Sequence, residues 1–135
     1  MTQAIIFTND NGGVSVCIPT GEISIEAVLA KDCPKGAMIV EQSALPTAND
    51  FFDAWELVDG KVEVSLAKAK EITKKRLRAE REPLLAAQDV AFQRAQEANA
   101  DTTAIVAEKN RLRNVTALAD TATTLDGLRS LKAGV

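Results

Sequence analysis

The stretch that decides the fold is Ser65–Ala98, SLAKAKEITKKRLRAEREPLLAAQDVAFQRAQEA. It holds no glycine and a single proline, Pro83, and is rich in the strong helix formers Ala, Leu, Lys, Arg and Glu. Ser65 is placed to cap a helix that begins at Leu66. As a helix it would span about 50 Å at 1.5 Å per residue, longer than a compact domain of this size needs. Leu66, Ala69 and Ile72 share one face. Leu77, Leu84 and Ala91 fall seven apart, as do Leu85 and Phe92, which gives a seam like that of a coiled coil. Pro83 removes the bond to the residue 79 carbonyl and crowds that turn, so the spacing predicts a kink there, or a break with a restart.

Downstream, Asn99-Ala100-Asp101 interrupts the pattern, and Asp101 can cap a second helix that runs to about Ala119. Ile105, Leu112, Val115 and Ala119 form its apolar stripe. So short a connection implies an antiparallel helical hairpin. Thr123 and Asp126 form a candidate capping pair for a last short helix carrying Leu125, Leu128 and Leu131.

Upstream, residues 1–64 read as mixed α/β. Ala4–Thr8 is a strand that runs into Asn9-Asp10-Asn11-Gly12-Gly13, followed by the alternating run Gly13–Ile18, a β-hairpin pattern. Ile23–Lys31 has helical spacing, with Asp32 and Pro34 against continuation. Ala37–Glu41 is a third strand, so the order closes a small sheet with one helix on its face. Phe51, Phe52 and Trp55 crowd together, and Asp59-Gly60 marks a second hairpin between residues 56–58 and 61–64. The expected fold is α+β: a small domain over residues 1–64, then a helical arm or antiparallel helical hairpin with a short C-terminal helix over 65–135.

Composition narrows the function. The 135 residues are 46% hydrophobic and 26% charged, as in an ordinary globular protein. Alanine dominates the apolar fraction and buries little area, so a binding partner or self-association into a homo-oligomer is the expected further source of stability. No apolar run is long enough to span a membrane, and the N-terminus lacks a signal-peptide pattern. Cys17 and Cys33 occur in unlike sequence surroundings and are expected to be free thiols in a reducing cytosol. Residues 1–64 carry three bases and ten acids, net −7; residues 65–135 carry thirteen bases and nine acids, net +4. Such different halves suit different neighbours.

The absence of histidine removes the commonest general base and metal ligand, and excludes Ser/His and Cys/His nucleophile pairs. There is no CxxC, no Walker loop and no GxGxxG. Asp50 and Asp53 beside Phe51, Phe52 and Trp55 superficially suggest a glycosidase cleft, but acids flanking an aromatic cluster also keep it soluble. The expectation is a non-enzyme without metal or cofactor. The basic run Lys68, Lys70, Lys74, Lys75, Arg76, Arg78, Arg81 could track a phosphate backbone. Glu71, Glu80 and Glu82 interleave with it and no aromatic lies within it, so a solvated face or a dock for an acidic surface is the better reading. The aromatic cluster is read as a core anchor, with a docking patch around Trp55 as the alternative.

The order of parts carries a resemblance. A short β unit leads to FxDAWEL (Phe51–Leu57), then DGKVEV and SLAKAKEI; an Arg-rich helix with RLRAER follows, then KNRLRN and a terminal TLDGLRSL. This resembles the small tail-assembly or tail-fibre-assembly chaperones of tailed phages and prophages, most closely over residues 51–81. Where relatives often carry proline and tryptophan near the C-terminal segment, this chain has Thr121-Ala122-Thr123-Thr124. The resemblance implies residence in the host cytoplasm late in infection, no cofactor, and binding to a tail or fibre protein whose apolar surface it masks until assembly. Leu77, Leu84, Leu85 and Phe92 would supply area, Lys74, Lys75 and Arg78 orientation. The alternatives are a minor structural component retained in the virion tail and a nucleic-acid-binding regulator.

Overall fold

The computed structural model describes residues 2–134. The fold is α+β, and the chain divides into two compact units, one ending at Ser65 and the other beginning at Leu66.

In the N-terminal unit, β1 (Gln3–Thr8) is the central strand of a three-stranded antiparallel sheet, flanked by β2 (Val14–Cys17) and β3 (Met38–Glu41). The β1–β2 loop is organised by Asn9, whose side-chain oxygen accepts the backbone N–H groups of Asn11 and Gly13, both at 3.0 Å. Strand β2 ends at Cys17, one residue short of the expected limit, and Ile18 is exposed. Helix α1 (Ile25–Asp32) is capped by the Ser24 hydroxyl, which accepts from the Ala27 N–H, and packs against β1 and β3. Strands β4 (Trp55–Val58) and β5 (Lys61–Val64) form a separate two-stranded sheet. Their turn has positive φ at both Asp59 (52°) and Gly60 (79°), the backbone that matches the strands' right-handed twist.

Alternation along β1 sends Ile6 to one face and Ile5 to the other, and both are fully buried. Ile6 packs with Val14 and Trp55 beneath β4–β5, with Val16, Met38, Val40 and Leu57 around them. Trp55 is therefore a core residue of this unit, 4% exposed, and offers no docking patch on the free surface. Its indole nitrogen has no hydrogen-bond partner among the described residues, while its ring centroid lies 4.7 Å from that of Phe52.

The second unit is helical. Helix α2 (Leu66–Glu97) runs as one 32-residue element with Pro83 inside it, so the break-and-restart expectation is not met. Ala79 and Pro83 both lie on the exposed side, where solvent can take up the carbonyl that the ring leaves without a donor. Against α2 pack α3 (Thr103–Arg113), α4 (Ala117–Thr121) and α5 (Leu125–Ser130). The expected single helix from Asp101 to Ala119 is thus two helices joined through residues 114–116. That join is held by i→i−3 backbone bonds, Val115 to Leu112 and Ala117 to Asn114, so the chain shifts without leaving near-helical geometry. The cap of α5 is Thr124, not Thr123: its hydroxyl accepts from the Gly127 N–H at 3.0 Å.

The core here is Leu77, Leu112, Val115 and Ala133, with Leu84, Leu85 and Leu131 packed against it. Leu77 is fully buried, whereas Val90 on the same helix is 48% exposed. Leu77→Ala should destabilise the protein by about 3 kcal/mol through lost transfer energy plus a cavity. Val90→Ala should stay within about 0.5 kcal/mol. Urea unfolding followed by far-ultraviolet circular dichroism checks both; a loss under about 1 kcal/mol for Leu77→Ala would contradict this packing.

Candidate partner-binding surface

The proposed contact residues on α2 separate into those used inside the helical unit and those left facing solvent. Leu77 lies at the centre of the core, and Leu84 and Leu85 close on its edge. Phe92 is half-buried, with the Lys109 ammonium 5.2 Å from its ring centroid; that ammonium also pairs with Asp89 at 2.6 Å. The apolar seam is therefore closed against the unit's own short helices, and the hairpin is shut.

Most of the basic run is likewise engaged. Arg81 donates to the carbonyls of Leu112 and Arg113 at 3.4 and 2.8 Å, in the last turn of α3. Arg76 donates to Leu128 O at 3.1 Å near the end of α5 and pairs with Glu80 at 2.6 Å. Lys70 donates to Asp120 O at 3.1 Å in α4, and Lys74 pairs with the Asp120 carboxylate at 2.6 Å and with Glu71. Helix C-termini expose unpaired carbonyls and carry partial negative charge, so cations placed there are stabilising. Glu80 completes the arrangement by accepting the Ala133 N–H at 3.0 Å, while Arg111 donates to the Ala133 carbonyl and pairs with Glu108. The sequence displays this chemistry as a basic run and hides its purpose, because many of the acceptors are backbone carbonyls of distant helices.

Lys75 and Arg78 differ. Both are exposed, and among the described residues neither has an ion-pair partner. Arg78 stands at one end of an open groove of about 480 Å³, lined also by Arg81, Glu82, Leu85, Ala86 and Asp89. These positions recur every three or four residues, so they form one stripe of α2. Leu85 and Ala86 are its apolar members, with Arg78 and Arg81 toward the N-terminal end and the carboxylates Glu82 and Asp89 on either side of the apolar pair. Of the residues singled out from sequence, this surface joins Leu85 and Arg78, with Lys75 one turn away. It excludes Leu77 and Trp55, which are buried, and Lys74, which is paired.

Among the described residues no three Cys, Asp or Glu side chains gather so as to hold a metal ion, and no helix is long and apolar enough to cross a membrane. No protein-family model, curated protein or solved structure matches the chain.

The carboxylates of this unit titrate in an informative direction. The Ala133 N–H, with the Arg76 guanidinium, holds the Glu80 carboxyl below the ordinary range, and Arg111 does the same for Glu108. Asp101 is lowered by the Thr103 hydroxyl and backbone N–H, which it accepts at 2.6 and 3.0 Å. A carboxyl lowered in the folded state stabilises above its unfolded pKa, and that stability is lost as pH falls through the folded value. Lys74, raised chiefly by Asp120, works oppositely: its contribution is present below the unfolded lysine pKa and is lost as pH climbs through the raised value. The melting temperature should therefore fall as pH drops below about 4, and Glu80→Gln should flatten part of that fall. Thermal melts followed by circular dichroism across this range test it; parallel curves for wild type and variant would exclude Glu80 as a contributor.

Proposed function

We propose that this protein is an accessory factor of tailed-phage assembly that binds a tail or tail-fibre subunit through the open groove on α2. The observation that carries the proposal is the pairing of exposed Lys75 and Arg78, without an ion-pair partner among the described residues, with an adjoining groove whose apolar lining is Leu85 and Ala86. The motif layout of residues 51–81 supports the choice of partner. An apolar side chain of the subunit would enter over Ala86, and acidic groups beside it would meet Lys75 and Arg78. The apolar part would supply affinity and the charges would steer approach. The masking surface is then the groove, because Leu77 and Leu84 are spent on the unit's own packing, and of the seam only Leu85 also lines the groove.

A nucleic-acid role draws less support. Lys70, Lys74, Arg76 and Arg81 already hold carbonyls or carboxylates within the unit, which leaves few cations to neutralise phosphates.

The test is a binding assay with purified tail and fibre subunits of the same phage, using variants that leave the core intact. Ala86→Trp, at an exposed position, fills the groove and should weaken binding at least about tenfold, about 1.4 kcal/mol. Charge reversal at Lys75 and Arg78 should slow association and reduce its dependence on salt. If both folded variants bind as wild type does, the groove is not the contact. If only the charge reversals matter, and a duplex DNA probe competes, the nucleic-acid reading takes its place.

A further inference from the structure

The two cysteines, sixteen positions apart in the chain, meet on the helix-covered face of the N-terminal sheet. The β1–β2 register sets Cys17 directly across from Ile5, so its side chain shares the face of Ile5 and of Ile39, the opposite partner of Ile5 on β3. That is the side away from Trp55, where α1 packs against β1 and β3. Cys33 is the residue that ends α1, in an extended conformation that turns the chain back toward β3. The two thiols are free and half-buried, and Cys17 lies near enough to Cys33 to act on its titration. Burial, with Cys17 and Asp32 nearby, pushes the Cys33 thiol up, so it is protonated at neutral pH and reacts more readily in alkali.

We propose that Cys17 and Cys33 form a reversible dithiol–disulfide site, closed by low-molecular-weight disulfides such as glutathione disulfide, that straps the end of α1 to the end of β2. One cysteine, as thiolate, attacks a sulfur of the reagent disulfide and expels one glutathione thiolate, leaving a mixed disulfide on the protein. The second cysteine, also deprotonated, attacks the protein sulfur of that mixed disulfide and expels the second glutathione thiolate. The two protons lost from the cysteines end on the two released thiolates. The protein is oxidised by two electrons, and one glutathione disulfide becomes two glutathiones. The bridge encloses residues 18–32, a loop that contains all of α1, and so restricts the unfolded chain. The reduced unit does not depend on it, since Ile6, Val14 and Trp55 pack without it. This site is independent of the groove on α2.

The experiment equilibrates the folded full-length protein with glutathione buffers of graded oxidising strength, traps free thiols by alkylation, and reads the products by intact mass. The expected product is a monomer that has lost two hydrogen atoms and carries no glutathione; Cys17→Ser and Cys33→Ser should each stop at a glutathione adduct. The single tryptophan is buried in the same unit, so its fluorescence reports that unit's melting. The bridged form should melt roughly 10 °C or more above the reduced form and return to the lower value with reductant. Glutathione on both cysteines without a bridge, a bridge only between two chains, or a bridge that forms only in urea would overturn the proposal. So would a bridged monomer that melts at or below the temperature of the reduced one.

Discussion

Arg81 reaches from α2 into the last turn of α3, Arg76 into the last turn of α5 and Lys70 into the last turn of α4. These charge-assisted bonds to backbone carbonyls are the constraint on which the helical unit depends. Helices of five, six and eleven residues are below the length at which an isolated helix is stable in water. Each finds a cation from the one long helix at the carbonyls of its C-terminal turn. At partial exposure each such contact contributes about 0.3–1 kcal/mol. That is small beside the burial of Leu77, Leu112 and Leu128. It is enough to choose which turn of α2 each short helix docks against, because each cation reaches the carbonyls of one short helix only.

This arrangement also governs what is left for binding. A side chain that caps a neighbouring helix has its geometry fixed and its charge largely spent. The basic run on α2 therefore splits by turn: one side holds the unit together, and Lys75 and Arg78 on the other side remain available. The groove beside Arg78 exists because the small Ala86 follows Leu85 on that stripe, where a larger residue would fill the space. In the N-terminal unit the equivalent constraint is β1, whose Ile5 and Ile6 are buried on opposite faces, so that both α1 and the β4–β5 hairpin are needed to cover one strand.

Much of this fold was legible in the residues, and the reasons differ by element. Asp59-Gly60 specifies a tight hairpin because both positions require positive φ, and both have it. Helix α2 was legible from its lack of glycine, and it passes through Pro83, which lies on the exposed side, without the break that was one of the two outcomes expected there. The division between α3 and α4 was not legible, because Leu112, Val115 and Ala119 keep helical spacing across a join that carries neither glycine nor proline; tighter i→i−3 bonds let the stripe pass through it. The candidate site was less legible. Leu77 and Trp55 had the right chemistry for anchors, but burial belongs to tertiary packing and no local pattern reports it. The meeting of Cys17 and Cys33 depends on sheet register and on where α1 ends, which no spacing of two cysteines encodes.

The dependence of the short helices on α2 cations is tested most directly by amide hydrogen exchange, residue by residue, on the wild-type protein and on Arg76→Met/Arg81→Met. Methionine keeps much of the aliphatic length of arginine and its helix propensity, while removing the donors. Protection should fall by an order of magnitude or more in α5 and in the last turn of α3, with the amides around Ala69 and Thr73 on α2 changing least. Protection in α3 and α5 equal to that of the wild type would contradict the view that these cations hold the short helices in place.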